Sequence, residues 1–100
     1  MDARRAAGAA PEPTGASTRG RLGAAIVALT THRSPDRTIC PSDAARAVGG
    51  ESWRSLMAEA RDAARALAAE GRVEIIQRGE RLDPTREWRG PVRIRALPPG

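Results

Sequence analysis

The sequence predicts an α+β fold of the winged helix-turn-helix type, with three helices followed by a two-stranded antiparallel β-hairpin. Apolar residues recur at helical spacing in three successive segments up to residue 70, and from residue 73 they alternate with polar residues. This order is typical of a winged helix, in which helices two and three form the helix-turn-helix pair and the hairpin is the wing. The alternative is a bare three-helix bundle, and the alternation on both sides of Gly79 argues against it.

The chain divides into a short tail and one domain. Residues 1–18 are rich in Ala, Gly, Pro and Ser and show no apolar periodicity, so we predict a disordered tail. Residues 19–97 form the predicted winged-helix domain. The chain has 100 residues and only two aromatic side chains, so its core must be small. A small core gives a marginal fold, which a partner or a second copy of the chain could stabilise.

The helices are predicted from apolar spacing and from the residues that begin and end them. Leu22 and Ile26 lie on one face of helix one. Helix two starts at Pro41, which suits the first helical position, and helix three uses Trp53 and Met57 as core residues. The predicted ranges are residues 19–32, 41–48 and 52–70, with turns at residues 33–37 and at Gly49-Gly50.

The hairpin is predicted from a period of two. Val73 and Ile75 alternate with polar residues before Gly79, and Val92 and Ile94 do so near the end of the chain. The connecting loop, residues 83–90, is polar and is punctuated by an Asp-Pro and a Gly-Pro pair, which are typical of turns.

Four short segments stand at separations that together form a specific pattern. They are Ile39-Cys40-Pro41-Ser42, Trp53-Arg54-Ser55-Leu56-Met57, Glu70-Gly71-Arg72 and Gly90-Pro91-Val92-Arg93. With this pattern the chain resembles a bacterial family known as domain of unknown function 3253, over residues 22–97. The resemblance implies a winged-helix-like fold, and it implies no activity, cofactor or catalytic residue.

Positive charge is concentrated at the two ends of the chain. The formal net charge is +5, all basic residues are Arg, and the isoelectric point is about 11.3. Residues 22–71 are neutral, whereas residues 72–100 hold seven Arg against four acidic residues, a net charge of +3. A basic balance favours polyanionic partners, because binding releases their counterions.

The arginines of the wing are the first candidates for contact with nucleic acid. Their side chains could lie along the phosphate backbone or enter a minor groove. The alternative is a hairpin whose edge is protected from aggregation by charge. The candidate residues are Arg78, Arg81, Arg86, Arg89 and Arg93, with Arg95 on the last strand.

Helix three supplies a second set of candidates. Arg54, Arg61 and Arg65 fall on one face of the predicted recognition helix, where they could reach bases or phosphates. The alternative is a solvated face on which they pair with acids at helical spacing. Between Glu51 and Gly71 there are three Arg and four acidic residues, a net charge of −1, so backbone contact by the wing is favoured over base reading.

Trp88 is the candidate for a partner contact. An exposed indole in the loop could stack on a base or anchor a protein, whereas an indole folded inward would cap the thin core. Cys40, beside Pro41, is interpreted as a small hydrophobic residue at the corner before helix two, with a redox-sensitive thiol as the alternative.

The remaining chemistry is sparse. The sequence shows no nucleophile with a base partner, no glycine-rich phosphate loop and no set of metal ligands. We therefore expect that the protein is not an enzyme and that it binds no cofactor, metal or small-molecule substrate. The single Cys and the absence of a long apolar stretch predict a cytoplasmic protein without membrane contact.

The sequence thus predicts a DNA-binding module, of the kind that serves regulation, that holds the phosphate backbone through its Arg-rich wing. The alternative is a protein-interaction or dimerisation module that does not bind nucleic acid.

Overall fold

The computed structural model describes residues 17–32 and 38–97, and these residues form an α+β fold, as predicted. The helical part contains α1 (Thr18–His32), α2 (Pro41–Gly49), a 3₁₀ helix (Gly50–Leu56) and α3 (Met57–Ala69). The strands that follow are β1 (Val73–Gln77), β2 (Glu80–Arg81) and β3 (Arg93–Ala96). Of the disordered tail predicted over residues 1–18, residues 1–16 lie outside the described residues, as does the turn predicted at residues 33–37, whereas Thr18 belongs to α1.

Helix α1 begins one residue before the predicted position. The hydroxyl of Ser17 accepts a hydrogen bond from the Gly20 amide at 3.0 Å, which satisfies one of the free donors of the first turn. Leu22 and Ile26 are fully buried, and they form the face that packs against the other helices. Thr30 is also buried, and its hydroxyl donates to the carbonyl of Ile26 at 2.7 Å, so its polar group is satisfied.

Helix α2 begins at Pro41, as predicted, and Asp43 caps its first turn. The Cys40 amide donates to the Asp43 carboxylate at 2.8 Å, at the helix end where a negative charge is favourable. At the other end, Gly50 has a φ of +56°, which suits a residue without a side chain. A Cβ on Gly49 would lie 2.7 Å from the Leu56 side chain, so glycine permits the close approach of the next segment.

Helix α3 starts later than predicted. The chain forms a 3₁₀ helix over Gly50–Leu56, and α3 begins at Met57 rather than at residue 52. Ser52 has φ −93° and ψ 16°, which interrupts helical geometry. As a result Trp53 and Met57, which we expected in the core, are only partly buried and pack against its edge.

The sheet has three antiparallel strands in the order β2-β1-β3, and the prediction of two strands is incomplete. After β1 the chain turns tightly and pairs Gln77 with Glu80, which adds a short strand at one edge. It then returns along the other edge of β1 as β3. Ile39, just before α2, forms an isolated antiparallel bridge with Ile94 of β3, on the side away from β1.

The core lies between the helices and one face of the sheet. Its fully buried branched side chains are Leu22, Ile26, Ile39, Val73, Ile75, Val92 and Ile94. Buried alanines of α2 and α3 let the helices pack closely in a chain that has no Phe or Tyr. Over the described residues, no helix combines the length and apolar character needed to cross a membrane.

Candidate nucleic-acid interface

The turn between β1 and β2 carries an exposed arginine in a strained conformation. Arg78 and Gly79 have φ angles of 53° and 81°, so both lie in the left-handed region. Such a two-residue turn matches the twist of an antiparallel pair, and it favours Asn-Gly or Gly-Gly. For a residue with a Cβ, this backbone conformation costs about 1–2 kcal/mol.

Trp88 is buried against α3, with 9% of its surface exposed, and it anchors the loop of residues 82–92. The guanidinium carbons of Arg65 and Arg61 lie 4.6 and 5.6 Å from the centre of its ring. Arg61 also donates to the Trp88 carbonyl at 3.4 Å, and Arg65 donates to the Arg86 carbonyl at 2.9 Å. These two arginines of α3 therefore fasten the loop to the helix.

Gln77 brings the end of this loop to the end of β1. Its side-chain amide donates to the carbonyls of Arg89 and Pro91, at 2.5 and 3.1 Å. Because Gln77 immediately precedes Arg78, these bonds hold the Arg89 segment beside the β1–β2 turn. We refer to the exposed side chains of Arg78 and Arg89 as the wing corner.

Asp83 fixes the start of the loop. One oxygen of its carboxylate accepts hydrogen bonds from the Thr85 hydroxyl at 2.7 Å and from the Thr85 amide at 2.8 Å. These bonds, with a smaller contribution from the Arg86 charge, lower the pKa of Asp83 below its ordinary value of 3.8. The Asp83 carbonyl accepts from the Trp88 indole at 3.4 Å, so the turn also helps to hold the ring.

Glu74 neutralises part of the charge on the sheet. It lies on β1 with 8% of its side chain exposed, and it accepts a hydrogen bond from Arg95 on β3. Arg81 on β2 approaches its other oxygen at 3.6 Å. One carboxylate on the central strand thus links arginines from both neighbouring strands.

Arg93 binds the segment before α2 rather than projecting freely. Its guanidinium donates to the Thr38 hydroxyl at 2.7 Å and to the Thr38 carbonyl at 3.2 Å. A third bond goes to the Cys40 sulfur at 2.7 Å, where the thiol is partly buried. Arg93 therefore joins β3 to the corner that precedes α2, beside the bridge between Ile39 and Ile94.

Three of the exposed wing arginines form neither an ion pair nor a side-chain hydrogen bond within the described part of the chain: Arg78, Arg86 and Arg89. The same segment carries the exposed carboxylates of Glu80 and Glu87, so the surface is basic but mixed. It can bind an anion through guanidinium donors that are not already used inside the fold.

Trp53 is covered by two other arginines, at the junction of α2 and the 3₁₀ helix. The guanidinium carbon of Arg46 lies 4.4 Å from the centre of the ring, and that of Arg54 lies 4.6 Å from it. Both arginines are exposed, whereas the indole is half-buried. The distances are those of cation–π contacts.

Comparison with known proteins identifies a family from residues 19–97, which match the model described as "Protein of unknown function (DUF3253)". The chain belongs to this family. No curated protein matches the chain. The resemblance inferred from the four sequence segments is therefore confirmed, and the family carries no assigned chemistry to transfer.

In this DUF3253 domain the nine predicted arginines fall into two groups. Six make contacts inside the domain: Arg54, Arg61, Arg65, Arg81, Arg93 and Arg95. The other three, Arg78, Arg86 and Arg89, are exposed and form no ion pair among the described residues. Trp88 is not the exposed indole that a partner contact would need, and its burial fits the alternative in which it caps the core.

Three side chains with clear roles in the DUF3253 domain were not found from the sequence. Arg46 could have been suggested by the Gly49-Gly50 turn, which folds the end of α2 against the next segment. Glu74 and Gln77 gave no signal, because their partners are distant in sequence and depend on how the strands pair.

Proposed function

We propose that this domain binds duplex DNA by holding its phosphate backbone at the wing. The observation that carries the proposal is the wing corner. Arg78 and Arg89 are exposed, Gln77 holds their segments together, and neither has an ion-pair partner within residues 17–32 and 38–97. Guanidinium groups bind phosphate oxygens through paired donors, and a fixed backbone reduces the entropy lost on binding.

The strained turn supports the same function. An arginine in the left-handed region is less stable than Asn or Gly would be, and strained residues of this kind cluster at functional sites. The position therefore favours a role for the Arg78 side chain outside the fold.

The proposal includes the winged helix-turn-helix arrangement. In it, α2 and α3 are the helix-turn-helix pair, and β1, β3 and the loop between them are the wing. The bridge from Ile39 to Ile94 supports this assignment, because it ties the segment between α1 and α2 to the edge of the wing sheet.

We propose backbone binding rather than base reading. On α3, Arg61 and Arg65 each bond a loop carbonyl and lie over the Trp88 ring, so their guanidinium groups are held against the loop instead of extending into a groove. Nearby carboxylates limit the affinity, and the dissociation constant should be on the order of 10⁻⁴–10⁻⁶ M at physiological salt. The proposed role is binding without catalysis, in the cytoplasm, where a reducing environment suits the free thiol of Cys40.

The test is a salt titration of binding to a fluorescent 20-base-pair duplex. With three exposed arginines on phosphates, the logarithm of the binding constant should fall with the logarithm of salt at a slope of about −2.7. The variant R78N/R89A should have a slope shallower by about 1.8, because two phosphate contacts are lost.

The matched control is R21A/R72A, which removes two exposed positive charges from elsewhere on the domain. Its slope should stay close to that of the wild type. Equal losses in the two variants would mean that only net charge matters. No binding by the wild type in 20 mM salt would refute the proposed function.

A second candidate function is dimerisation, and one observation favours it. An open groove of about 780 Å³ runs along α1 beside the end of α3 and is lined by Gly23, Val27 and Leu67 among others. Gly23 has a helical backbone, and a Cβ there would meet nothing within 4 Å, so packing inside the domain does not require glycine. Sedimentation equilibrium tests this candidate, and a protein that stays monomeric at about 200 µM, so that any dimer dissociation constant lies well above that concentration, would exclude it.

A further inference from the structure

A second group of basic side chains lies between α2 and α3. We define the helical corner as Arg46, Trp53 and Arg54, whose two guanidinium groups lie over one indole. We propose that the helical corner is a second phosphate-binding surface, which duplex DNA contacts together with the wing corner. This inference rests on the proposed function, because it adds a contact to the same complex.

The backbone of the turn builds this surface. Gly50, with its positive φ, donates its amide to the Arg46 carbonyl and ends α2. Gly49 allows the Leu56 side chain to come close, so the 3₁₀ helix folds back along α2. Arg46 therefore meets a ring that is seven residues away in sequence.

The two arginines keep donors available for an anion. Stacking uses the flat face of a guanidinium, while its N–H groups lie in the plane and point outward from the edge. Neither Arg46 nor Arg54 forms an ion pair with a carboxylate in the described ranges. The acidic residue one turn before Arg46 is Asp43, and its carboxylate accepts the Cys40 amide instead.

The ring makes the donors more effective than those of free side chains. A free arginine loses rotamer entropy when it is fixed, and stacking on an indole has already removed part of that freedom. Two guanidinium groups on one ring present a double positive charge in a small area. Phosphate oxygens are suitable acceptors for each of these groups.

The position of the helical corner favours a phosphate chain as the partner. Arg54 lies in the 3₁₀ helix that leads directly into α3, and Arg61, seven residues later, is where α3 contacts the wing loop. At about 2.0 Å per residue in the 3₁₀ helix and 1.5 Å in α3, these seven residues span about 12 Å. A DNA strand advances about 3.4 Å per phosphate, so a few successive phosphates cover the distance from Arg54 to Arg61.

The experiment repeats the salt titration with R46A/R54A in the full chain. With five arginines on phosphates the wild-type slope should be about −4.5 rather than −2.7, and that of R46A/R54A should be shallower than the wild type by about 1.8, while R21A/R72A leaves the slope unchanged. R46K/R54K should recover most of the slope, because it restores the charges, although Lys lacks the planar fork. Thermal melting of each variant checks that the fold is retained.

The outcomes separate the two proposals. If the wild type binds DNA and R78N/R89A weakens the salt dependence but R46A/R54A does not, the inference is wrong and the proposed function stands. If the wild type does not bind DNA, both are wrong. If R46A/R54A instead abolishes binding to polyglutamate while DNA does not bind, the helical corner recognises an acidic protein and the inference is again overturned.

Discussion

Replacing Arg78 by Asn should make the domain more stable and a weaker DNA binder. Arg78 and Gly79 both have positive φ angles, and Asn-Gly is a preferred pair for this turn. The left-handed conformation costs an ordinary residue about 1–2 kcal/mol, and Asn offsets much of this through local hydrogen bonds. We therefore expect R78N to raise the free energy of unfolding by about 1 kcal/mol.

Thermal unfolding followed by circular dichroism measures the gain. For a domain of this size, 1 kcal/mol corresponds to an increase in Tm of about 4–8 °C. In the salt titration, loss of one phosphate contact should make the slope shallower by about 0.9. R78K is the control, because it keeps both the charge and the strain, and it should match the wild type in Tm.

The two measurements together test why an arginine occupies this turn. A variant that is more stable and binds less well shows that the strain is retained for binding. An R78N protein with a lower Tm than the wild type would refute the argument from backbone strain. An unchanged slope with a higher Tm would show that Arg78 does not contact DNA.

The other predictions concern the carboxylates and α1. E74Q removes the negative charge that holds Arg81 and Arg95. The free energy of unfolding should fall by about 1 kcal/mol, which lowers Tm by about 4–8 °C. DNA affinity should rise, because two guanidinium groups are released. Asp83 has a lowered pKa in the folded state, so its stabilising effect is present above pH 3.8 and is lost as pH falls through the folded-state value. The Tm difference between wild type and D83N should therefore disappear in acid, and a constant difference from pH 7 to pH 2 would contradict this. G23A should raise Tm by about 4–8 °C, because Ala stabilises a helix by about 1 kcal/mol relative to Gly. A fall in Tm that depends on protein concentration would instead indicate a dimer formed through α1.

The parts of the fold that were predictable from the sequence depend on local periodicity. Leu22 and Ile26 mark the buried face of α1, and the alternation around Val73 and Ile94 marks the two long strands. Strand β2 has only two residues, Glu80–Arg81, and both are exposed, so no pattern could reveal it. The confirmed predictions are those that depend on residues close in sequence that also lie on the same face of a helix or strand.

The candidate site was less predictable, because its contacts join distant segments. Trp88 stands among charged residues, and its burial depends on arginines of α3 that are 23 and 27 residues away in sequence. The late start of α3 follows from the geometry of Ser52 and from the space that Gly49 provides, which helical spacing does not reveal. Composition could locate the basic segment but could not say which arginines remain free.

Arginine has two uses in this domain, and the difference matters for any estimate of DNA binding. The only aromatic residues of the chain are two Trp, so aromatic rings have few opportunities to pack against one another. Instead each indole is covered by two guanidinium groups: Arg46 and Arg54 for Trp53, and Arg61 and Arg65 for Trp88. Around Trp88 one donor of each guanidinium bonds a loop carbonyl, whereas around Trp53 no carboxylate in the described residues forms an ion pair with either arginine. The same stacking thus holds a loop at one tryptophan, and at the other it forms the surface for which we propose phosphate binding.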